Sequence, residues 1–336
     1  MLGAGSWDTA LAIVLSRSGH DVALWARRPE AAAHMERHRR NPTYLPGADL
    51  PGSLRVTSAI EEAVVDRDMW VFATPSQSVR ECALRVRPHA SEDLLCVSVA
   101  KGIENGTLMT TTRVMRDVLD VVPQAHLGVL SGPSHAEEVA EEKPTTMVAA
   151  AYSIAAVHEI QATFVTPRLR VYLNRDVLGV EIAGSVKNIM AIAAGIGDGL
   201  GYGDNTKAAI VTRGLAEIKR LGLAMGAEGS TFSGLAGIGD LVVTCMSRHS
   251  RNRHVGEQIG RGKPLEEIER EMSMIAEGIR TTDSVHQIAG KYRIEMPITE
   301  AVYQILFEGK KPQIAVDELM SRAPKREDWL PDVLQG

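Results

Sequence analysis

Short apolar runs alternate with amphipathic segments over the first half of the chain, and this alternation constrains the fold more than any other feature. The runs are apolar at successive positions, which is typical of strands covered on both faces. We therefore predict an α/β fold with a doubly wound, largely parallel sheet. The predicted strands are residues 22–25, 55–57, 69–73, 94–99, 126–130, 145–150 and 169–173, and the helices between them include 75–86 and 108–119.

The second half of the chain has a different pattern, in which apolar residues recur at helical period and strand signals almost vanish. A chain of 336 residues is also too long for one ordinary core, so two domains are expected. We predict a sheet domain over residues 1–178 and an all-helical C-terminal domain over residues 179–330. The predicted helices of the second half are 177–196, 206–225, 251–259, 281–289 and 299–307.

Charge and composition argue against several classes of partner. A net charge of −5 and an aromatic content of 4% give no reason to expect nucleic acid or an anionic membrane surface. Cys82, Cys96 and Cys245 form no closely spaced pair, so we expect neither a disulfide framework nor a metal site. No apolar run reaches the roughly 18 residues of a membrane span, and the N-terminus lacks a signal-peptide pattern. We expect a cytoplasmic protein without stable membrane insertion.

A glycine turn near the N-terminus predicts a cofactor site. Gly3-Ala4-Gly5 leads into a helical pattern, and the strand at 22–25 follows it. In a Rossmann-like unit such glycines let the backbone approach a dinucleotide pyrophosphate, and the helix N-terminus supplies N–H donors and a positive dipole end. We therefore expect residues 1–178 to bind a dinucleotide. A glycine turn that binds no ligand is the alternative interpretation.

Two features of this turn depart from the dinucleotide pattern. Asp8 occupies the position of the third glycine, and its carboxylate would repel a phosphate by roughly 3 kcal/mol at about 5 Å and a dielectric of about 20. The same charge favours the helix dipole by about 0.3–1 kcal/mol, so we expect Asp8 to impair cofactor binding more than folding. Only Met1 and Leu2 precede the turn, where a strand of about five residues is expected. Our hypothesis is that the natural chain begins upstream or that this one is truncated.

Two arginines after the strand at 22–25 favour one cofactor over another. Arg27 and Arg28 stand where an acidic residue would bind a ribose 2′-hydroxyl, whereas arginine accommodates a 2′-phosphate. NADP(H) is therefore favoured, with NAD(H) as the alternative. Two solvated arginines with no ligand would give the same pattern.

Lys187 lies in a predicted helix whose neighbouring positions are small or apolar. An ammonium there is expected to be desolvated, and desolvation lowers the pKa of a lysine toward the range useful for general acid–base catalysis. Asp240 ends a glycine-rich turn and is a candidate to orient Lys187, although it is also a candidate helix N-cap, and one residue can do both. For Lys187 the alternative is a side chain that extends to the surface.

A basic segment in this acidic protein, residues 247–254, suggests an anion site. Arg251, flanked by Ser250 and Asn252, makes a good phosphate clamp because a guanidinium binds phosphate through two hydrogen bonds. A solvated basic loop or an RNA contact is the alternative. Lys101 follows a predicted strand, at the edge where open α/β sheets bind ligands. The turn after the next strand, residues 131–134, offers hydroxyl and backbone donors.

The chain resembles the bacterial-type NAD(P)-dependent glycerol-3-phosphate dehydrogenases over almost its whole length. The resemblance rests on blocks whose order and spacing match, and the block ending in Ser250-Arg251-Asn252 is quite specific. The fold of that family, a Rossmann-like domain followed by a helical one, agrees with the organisation predicted above. The matching blocks are residues 3–7, 98–103, 131–139, 185–188, 197–212, 231–252 and 276–282.

The resemblance implies roles for individual residues and for the protein. It makes Lys187 the proton donor and acceptor, and it also implies a homodimer and a place in glycerophospholipid synthesis. Substrate contacts are implied for Lys101, Gly132, Ser134, Asp240, Ser250, Arg251 and Asn252. Cofactor contacts are implied for Ser6, Trp7, Arg27, Lys101, Ala136, Arg251, Ile275 and Glu277, to which the patterns above add Gly3, Gly5 and Arg28.

The implied reaction interconverts dihydroxyacetone phosphate and sn-glycerol 3-phosphate, a small phosphorylated three-carbon substrate. We expect hydride to pass from nicotinamide to the ketone carbon while Lys187 protonates the developing alkoxide. Lys101 is expected to stabilise the negative charge, and Asp240 to position Lys187. These three side chains are the predicted catalytic residues.

Two other functions remain as alternatives. A related Rossmann and helical reductase of a hydroxyacid or a phosphorylated sugar acid would share the lysine but would need a carboxylate site. A cofactor-impaired homologue would follow from Asp8 and the short first strand. The presence of Lys101, Lys187 and Asp240 argues against a long-standing loss of function.

Overall fold

A mostly parallel sheet forms the centre of the first half of the chain in the computed structural model, which describes residues 1–272, 274 and 276–324. The strands are β1 (Ala23–Trp25), β2 (Arg40–Asn41), β3 (Leu45–Asp49), β4 (Arg55–Thr57), β5 (Met69–Phe72), β6 (Leu95–Ser98), β7 (Leu127–Ser131), β8 (Thr145–Ala151) and β9 (Leu169–Asn174). The order across the main sheet is β4, β1, Leu2, β5, β6, β7, β8, β9, and its neighbours run parallel except β7 and β8. The seven predicted strands are confirmed, with ends that differ by at most one residue.

Leu2 occupies the central position of the sheet that a longer first strand would fill. Its amide donates to the carbonyl of Val71 at 2.8 Å, and its carbonyl accepts from the amide of Ala73 at 3.0 Å. The Gly3 amide donates to the carbonyl of Trp25 at 3.2 Å. The short start therefore still joins β1 to β5, and it delivers the glycine turn to the carboxyl edge of the sheet.

The antiparallel hairpin of β2 and β3 was not predicted, because Pro46 and Gly47 interrupt the apolar pattern of its longer strand. Buried Asn41 ties the hairpin to the glycine turn. Its Nδ2 donates to the carbonyl of Ala4 at 3.0 Å and lies 2.8 Å from the hydroxyl of Thr9. The hairpin thereby becomes a wall of the cleft described below.

Helices cover both faces of the sheet and make up the second half of the chain. Alternate side chains of a strand enter different cores, so Val71 packs against the helices on one face of the sheet, whereas Trp70 and Phe72 pack against those on the other. The helices are α1 (Ser6–Arg17), α2 (Pro29–His38), α3 (Ile60–Val64), α4 (Val79–Val86), α5 (Thr111–Val118), α6 (Ala136–Ala140), α7 (Ile154–Phe164), α8 (Val177–Gly199), α9 (Asp204–Ala224), α10 (Asp240–Met246), α11 (Arg251–Gly260), α12 (Leu265–Glu271), α13 (Glu277–Tyr292), α14 (Pro297–Phe307) and α15 (Pro312–Met320).

The second half is helical, as predicted, and the described residues after Asn174 contain no strand. All five predicted helices are present, although α13 begins at Glu277 rather than at residue 281. The change from strands to helices falls between Asn174 and Val177. The division into two domains at residue 178 stays a prediction.

Helix α8 is the centre of the helical half and crosses α11 with backbone against backbone. A Cβ on Gly195 would lie 2.0 Å from the carbonyl oxygen of Arg253, and one on Gly256 would lie 2.0 Å from that of Ile192. Glycine at these positions is therefore what permits the close crossing. The crossing brings the first residues of α11 beside the middle of α8, where Lys187 lies.

The length and apolar composition of α8 would also suit a membrane span, so the expectation that no segment reaches that length is wrong for this helix. However, 89% of its most apolar window is buried inside the protein. Burial of this extent is typical of a core helix in the packed interior of a protein.

Candidate functional site

A cleft of about 740 Å³ opens between the carboxyl edge of the sheet and the helical half. One side is formed by residues that follow β1, β5, β6 and β7, and the other by residues of α8, α10, α11 and α13. Parallel strands end together at one edge, which brings residues from distant parts of the sequence into this wall. The volume lies in the range of about 300–1,000 Å³ that is typical of small-molecule sites.

Lys187 is buried in the wall of this cleft. Its side chain is 7% exposed, and its Nζ donates to Oδ1 of Asp240 and to the hydroxyl of Thr244, both at 2.6 Å. Burial lowers the pKa of Lys187 to about 8, even though Asp240 acts in the opposite direction. The alternative of a surface lysine is therefore wrong, and both protonation states are accessible close to neutral pH.

Asp240 lies between two lysines. Its second oxygen, Oδ2, accepts from the Nζ of Lys101 at 2.7 Å, and its side chain is 1% exposed. Burial alone would raise the pKa of Asp240, but the two ammonium groups outweigh burial and hold that pKa below its ordinary value. The carboxylate is therefore ionised, and it fixes the two cations on either side of itself.

The glycine-rich turn before Asp240 sets the position of this carboxylate. A Cβ on Gly237 would lie 2.0 Å from the carbonyl oxygen of Phe232, so the turn can fold this tightly only with glycine there. The interpretation of Asp240 as an N-cap is wrong, since Gly239 holds that position and Asp240 begins α10. Both of its oxygens are directed to lysines instead.

Two neighbours of this cluster were not predicted. The hydroxyl of Thr244 donates to the Asp240 carbonyl at 2.6 Å, one helical turn away, and accepts from Lys187. Asn188 donates to the carbonyl of Lys101 at 3.2 Å and so links α8 to the end of β6. The signal for Thr244 is its i+4 spacing from Asp240, which places both side chains on one helix face.

The turn after β7 contacts the second lysine through its backbone. The carbonyl of Gly132 accepts from Lys101 Nζ and from the hydroxyl of Ser134, both at 3.0 Å. Gly132 has a φ of +135°, and a Cβ there would lie 3.1 Å from the Cα of Met147. Ser134 lines the cleft, whereas Gly132 reaches the site through this carbonyl.

The basic segment begins α11 at the rim of the cleft. Ser250 is the N-cap of this helix, and its hydroxyl accepts from the amide of Arg253 at 3.2 Å. Asn252 donates to Oδ1 of Asn188 at 3.0 Å and accepts from the amide of Gly278 at 2.9 Å. Arg251 is exposed, and all three residues of the predicted clamp line the cleft. The solvated-loop alternative therefore does not describe Ser250 and Asn252, which are buried.

The glycine turn and its surroundings fit a dinucleotide at the other end of the cleft. Gly3 has a φ of +126°, and a Cβ there would lie 3.1 Å from the backbone of Ala73, so only a bare backbone fits. Trp7 Nε1 and the hydroxyl of Thr74 are buried beside the turn and have no partner within the described part of the chain. Such groups are the donors that a polar ligand in the cleft would satisfy.

Asp8 is buried beneath this turn and directed at its backbone. Its Oδ2 accepts from the amide of Gly5 at 2.9 Å, and its side chain leaves no room for a Cβ on Gly3. Burial raises the pKa of Asp8 to about 6, against the opposing effects of its hydrogen bonds and of Arg251. One of the amides that a helix N-terminus offers to an anion is therefore already bound to a carboxylate.

The remaining predicted cofactor residues are distributed around the same end. Ser6 and Trp7 begin α1 and line the cleft, as do the exposed side chains of Arg27 and Arg28. Glu277 lines it from the start of α13 and accepts from the amide of Ser76 at 3.1 Å and from its hydroxyl. Ala136 is buried in the first turn of α6, next to His135 of the cleft wall, and Ile275 lies outside the described residues.

A pair of histidines also lines the cleft and was not predicted. The rings of His135 and His249 lie 5.6 Å apart and connect the turn after β7 to the loop before α11. Burial, together with the charge of Lys187, lowers the pKa of His135 below its ordinary value. No spacing rule connects these two positions in the sequence, because only the fold brings them together.

Comparison with known proteins accounts for most of the chain. Residues 1–157 match the family model of the N-terminus of NAD-dependent glycerol-3-phosphate dehydrogenase, and residues 176–317 match that of its C-terminus. An NAD(P)+ glycerol-3-phosphate dehydrogenase of Salinibacter ruber is 58% identical over 336 residues, which are 100% of this chain and 98% of that protein. That of Chlorobium phaeobacteroides is 52% identical over 97% of this chain and 98% of its own.

A solved structure gives the same result for the fold. The crystal structure of glycerol-3-phosphate dehydrogenase from Coxiella burnetii superimposes with a TM-score of 0.92 at 39% identity. The match covers 96% of this chain and 98% of that one, so both the sheet half and the helical half are shared.

Proposed function

Because this chain belongs to the NAD-dependent glycerol-3-phosphate dehydrogenase family, we propose that it is an NAD(P)-dependent enzyme that reduces dihydroxyacetone phosphate to sn-glycerol 3-phosphate. One observation carries the proposal beyond family membership. The buried ammonium of Lys187, held by Asp240 and Thr244, lies in the wall of the same cleft as the glycine turn. A proton donor and a dinucleotide site therefore share one cavity, as the reduction of a ketone requires.

Lys187 supplies the proton of this reaction. Its pKa of about 8 lets it donate to a developing alkoxide near neutral pH and accept a proton in the reverse direction. Asp240 and Thr244 hold Nζ in one place, so little orientation is lost when the substrate arrives. When bound, the reduced nicotinamide supplies the hydride that reduces the carbonyl carbon.

Lys101 supplies a second positive charge on the other side of Asp240. It approaches the Asp240 carboxylate from the sheet side, whereas Lys187 approaches from the helical side. A fixed cation in a site that excludes water stabilises an oxyanion strongly, because it does not need to reorganise. Lys101 thereby lowers the energy of the alkoxide that Lys187 protonates.

Arg251, with the N-terminus of α11 behind it, holds the substrate phosphate. Ser250 and Asn252 fix the first turn of this helix through their own hydrogen bonds, and the helix end adds a positive dipole. Ser134 completes the polar lining on the sheet side. A phosphate held away from the reacting carbon gives orientation, which is the requirement for a small and flexible substrate.

The glycine turn, Ser6, Trp7 and Glu277 would hold the dinucleotide, with Arg27 and Arg28 near its ribose. NADP(H) is favoured because two exposed guanidinium groups follow β1 where a 2′-phosphate is accommodated. NAD(H) remains the second cofactor, in keeping with the NAD(P)+ in the names of the relatives.

The test is the loss of NADPH absorbance when dihydroxyacetone phosphate is added, run beside NADH and a panel of keto acids and other phosphorylated compounds that carry a reducible carbonyl. We expect turnover with dihydroxyacetone phosphate and with no other substrate of the panel at comparable concentration. Turnover with a keto acid instead would contradict the substrate assignment.

A cofactor-impaired homologue is the second candidate, and the bond from Gly5 to Asp8 is the observation that favours it. This candidate predicts that the fluorescence of NADPH does not change when the wild-type protein is titrated into it, whereas Asp8→Gly binds NADPH and changes its fluorescence. Binding by the wild type would exclude this candidate.

The wider setting is also part of the proposal. We place the enzyme in the cytoplasm, in glycerophospholipid synthesis, as a homodimer. We divide the chain into a dinucleotide-binding domain, residues 1–178, and a helical substrate-binding domain, residues 179–330, and side chains of each reach the ligand of the other. Light scattering at micromolar concentration tests the dimer directly, since a monomeric mass would contradict it.

A further inference from the structure

Glu181 is a buried carboxylate that lies on α8, away from the residues assigned above. It is 5% exposed and joins α8 to the start of α5, a helix of the sheet half. Its Oε1 accepts from the amide of Thr112 at 2.7 Å and the hydroxyl of Thr111 at 2.8 Å, and its Oε2 accepts from the hydroxyl of Thr112 at 2.7 Å. Three donors from one helix end thus converge on a single side chain of the opposite half.

The same contact continues to the strand that carries Lys101. The hydroxyl of Thr111 lies 2.7 Å from that of Ser98, the last residue of β6, and the Ser98 hydroxyl accepts from the amide of Ala100. Lys101 is the next residue in the chain. Glu181 is therefore connected through two hydroxyl groups to the segment that sets the position of Lys101.

Helix α8 contacts the segment from Ser98 to Lys101 at three positions along its length. Glu181 bonds to it through Thr111, Asn188 donates to the Lys101 carbonyl at 3.2 Å, and Gly184 lies between them. A Cβ on Gly184 would lie 3.6 Å from Cγ of Lys101, so the lysine stem packs on the helix at this glycine. The stretch of α8 from Glu181 to Asn188 contains Lys187 and is thus fixed at both ends against the end of β6.

We propose that Glu181 is a positioning residue for the reaction, because it holds α8 against α5 and Ser98 so that Lys187 and Lys101 meet on the two oxygens of Asp240. This inference rests on the proposed function for its kinetic readout. It does not make Glu181 a catalytic residue, since its oxygens accept from threonines at the start of α5 and the side chain does not line the cleft. Its removal displaces the two lysines and loosens their surroundings, but it takes away no group that reacts.

The chain offers a matched control in Glu217. This carboxylate is 2% exposed, lies on α9, and also accepts from a helix start, in this case the amides of Ile298 and Thr299 and the Thr299 hydroxyl at 2.6–3.1 Å. It does not line the cleft and lies wholly within the helical half. Loss of either carboxylate removes the same kind of helix contact, but only loss of Glu181 disturbs the two lysines.

The experiment compares Glu181→Ala, Glu181→Gln, Glu217→Ala and Glu217→Gln in full-length protein, with kcat corrected for the folded fraction. We expect both Ala variants to lower the urea midpoint, but only Glu181→Ala to lower kcat, by about 10- to 100-fold, because small displacements of reacting groups are costly. The KM for NADPH should stay within about 2-fold of the wild-type value in all four variants. Glu181→Gln should keep most of the wild-type kcat that Glu181→Ala loses. Equal kcat in Glu181→Ala and Glu217→Ala would overturn the proposal.

A second measurement separates this inference from the proposed function. The pH at which Lys187 becomes reactive toward acetic anhydride is followed by mass spectrometry, which needs no turnover. We expect this pH to shift by about half a unit or more in Glu181→Ala, because burial and the distances to Asp240 and Lys101 together set the pKa of Lys187. It should stay unchanged in Glu217→Ala, and Glu181→Gln controls for the lost charge.

No shift in Glu181→Ala overturns the positioning role, whereas a wild type that reduces no dihydroxyacetone phosphate overturns the proposed function alone. If Glu181→Ala does not fold, Glu181→Asp, which shortens the side chain by one methylene, takes its place in both measurements.

Discussion

The two ends of the cleft differ in how their charged groups are paired. At the chemical end, Asp240 lies between Lys187 and Lys101, and each oxygen of the carboxylate has its own cation. At the cofactor end, Asp8 is bonded to the backbone amide of the turn that is predicted to receive phosphate. The first arrangement is organised before any ligand arrives, whereas the second must be changed by the ligand. Mutations at the two ends should therefore act on different kinetic constants.

The largest effect is expected from Lys187→Met, which removes the ammonium and keeps an apolar stem of similar length. General acid catalysis contributes about 10²- to 10⁴-fold, so kcat should fall by that factor while the dissociation constant of NADPH changes little. Steady-state kinetics and a fluorescence titration measure the two quantities. A kcat within about threefold of wild type would remove Lys187 from its role.

Asp8→Gly is expected to change the dissociation constant of NADPH, in contrast to Lys187→Met, which is expected to change kcat. Removing a charge that repels phosphate by up to roughly 3 kcal/mol should tighten NADPH binding by about 10- to 100-fold. Asp8→Asn is the matched control, because it keeps a side-chain oxygen for the Gly5 amide and loses the charge. If Asp8→Gly binds more tightly and Asp8→Asn does not, space rather than charge is the obstacle.

Cofactor binding should also depend on pH through Asp8. The pKa of Asp8 is about 6 in the free protein, and a nearby phosphate would raise it further, so binding takes up a proton above pH 6. Two basic groups face Asp8. Arg251 stays charged, whereas burial lowers the pKa of the Met1 amino group to about 5, so that group is neutral between pH 6 and pH 8. The dissociation constant of NADH should rise by up to about 10-fold between pH 6 and pH 8 in the wild type, and this slope should vanish in Asp8→Asn. If the dissociation constant depends equally on pH in both proteins, a group other than Asp8 causes the dependence.

The smallest effect is expected from the exposed pair Arg27 and Arg28. A solvent-exposed ion pair contributes about 0.2–1 kcal/mol, and the two arginines share one 2′-phosphate, so the double Ala variant should weaken the preference for NADPH over NADH by only about 2- to 5-fold. Dissociation constants for both cofactors, measured at low ionic strength, give the ratio. An unchanged ratio would show that the 2′-phosphate is not bound by these arginines.

Much of the fold is predictable from the sequence because one physical pattern dominates it. Strands that are buried on both faces are apolar throughout, so β5 and β6 stand out between amphipathic helices. The hairpin of β2 and β3 escapes prediction because its longer strand contains Pro46 and Gly47, and a side-chain contact from Asn41 holds it in place. Tertiary contacts of this kind leave no periodic signal.

The candidate site is predictable in part for a similar reason. The burial of Lys187 follows from its small and apolar helical neighbours, which is a local property. The arrangement of Lys187, Asp240 and Lys101 depends on segments far apart in the sequence, so local patterns do not predict that the three side chains meet. The resemblance to a family is what placed them in one site. Glu181 had no local signal, because a glutamate inside a helix is ordinary until its burial is seen.

The most direct test of the central claim, that Lys187 exchanges the proton, is the pH dependence of kcat/KM in both directions. Reduction needs the ammonium and oxidation needs the neutral amine, so with a pKa of about 8 reduction should decline and oxidation should increase through that pH. Mirror-image profiles that cross near pH 8 are the predicted result. Profiles that change together in both directions, or that stay level from pH 7 to pH 9.5, would contradict the account.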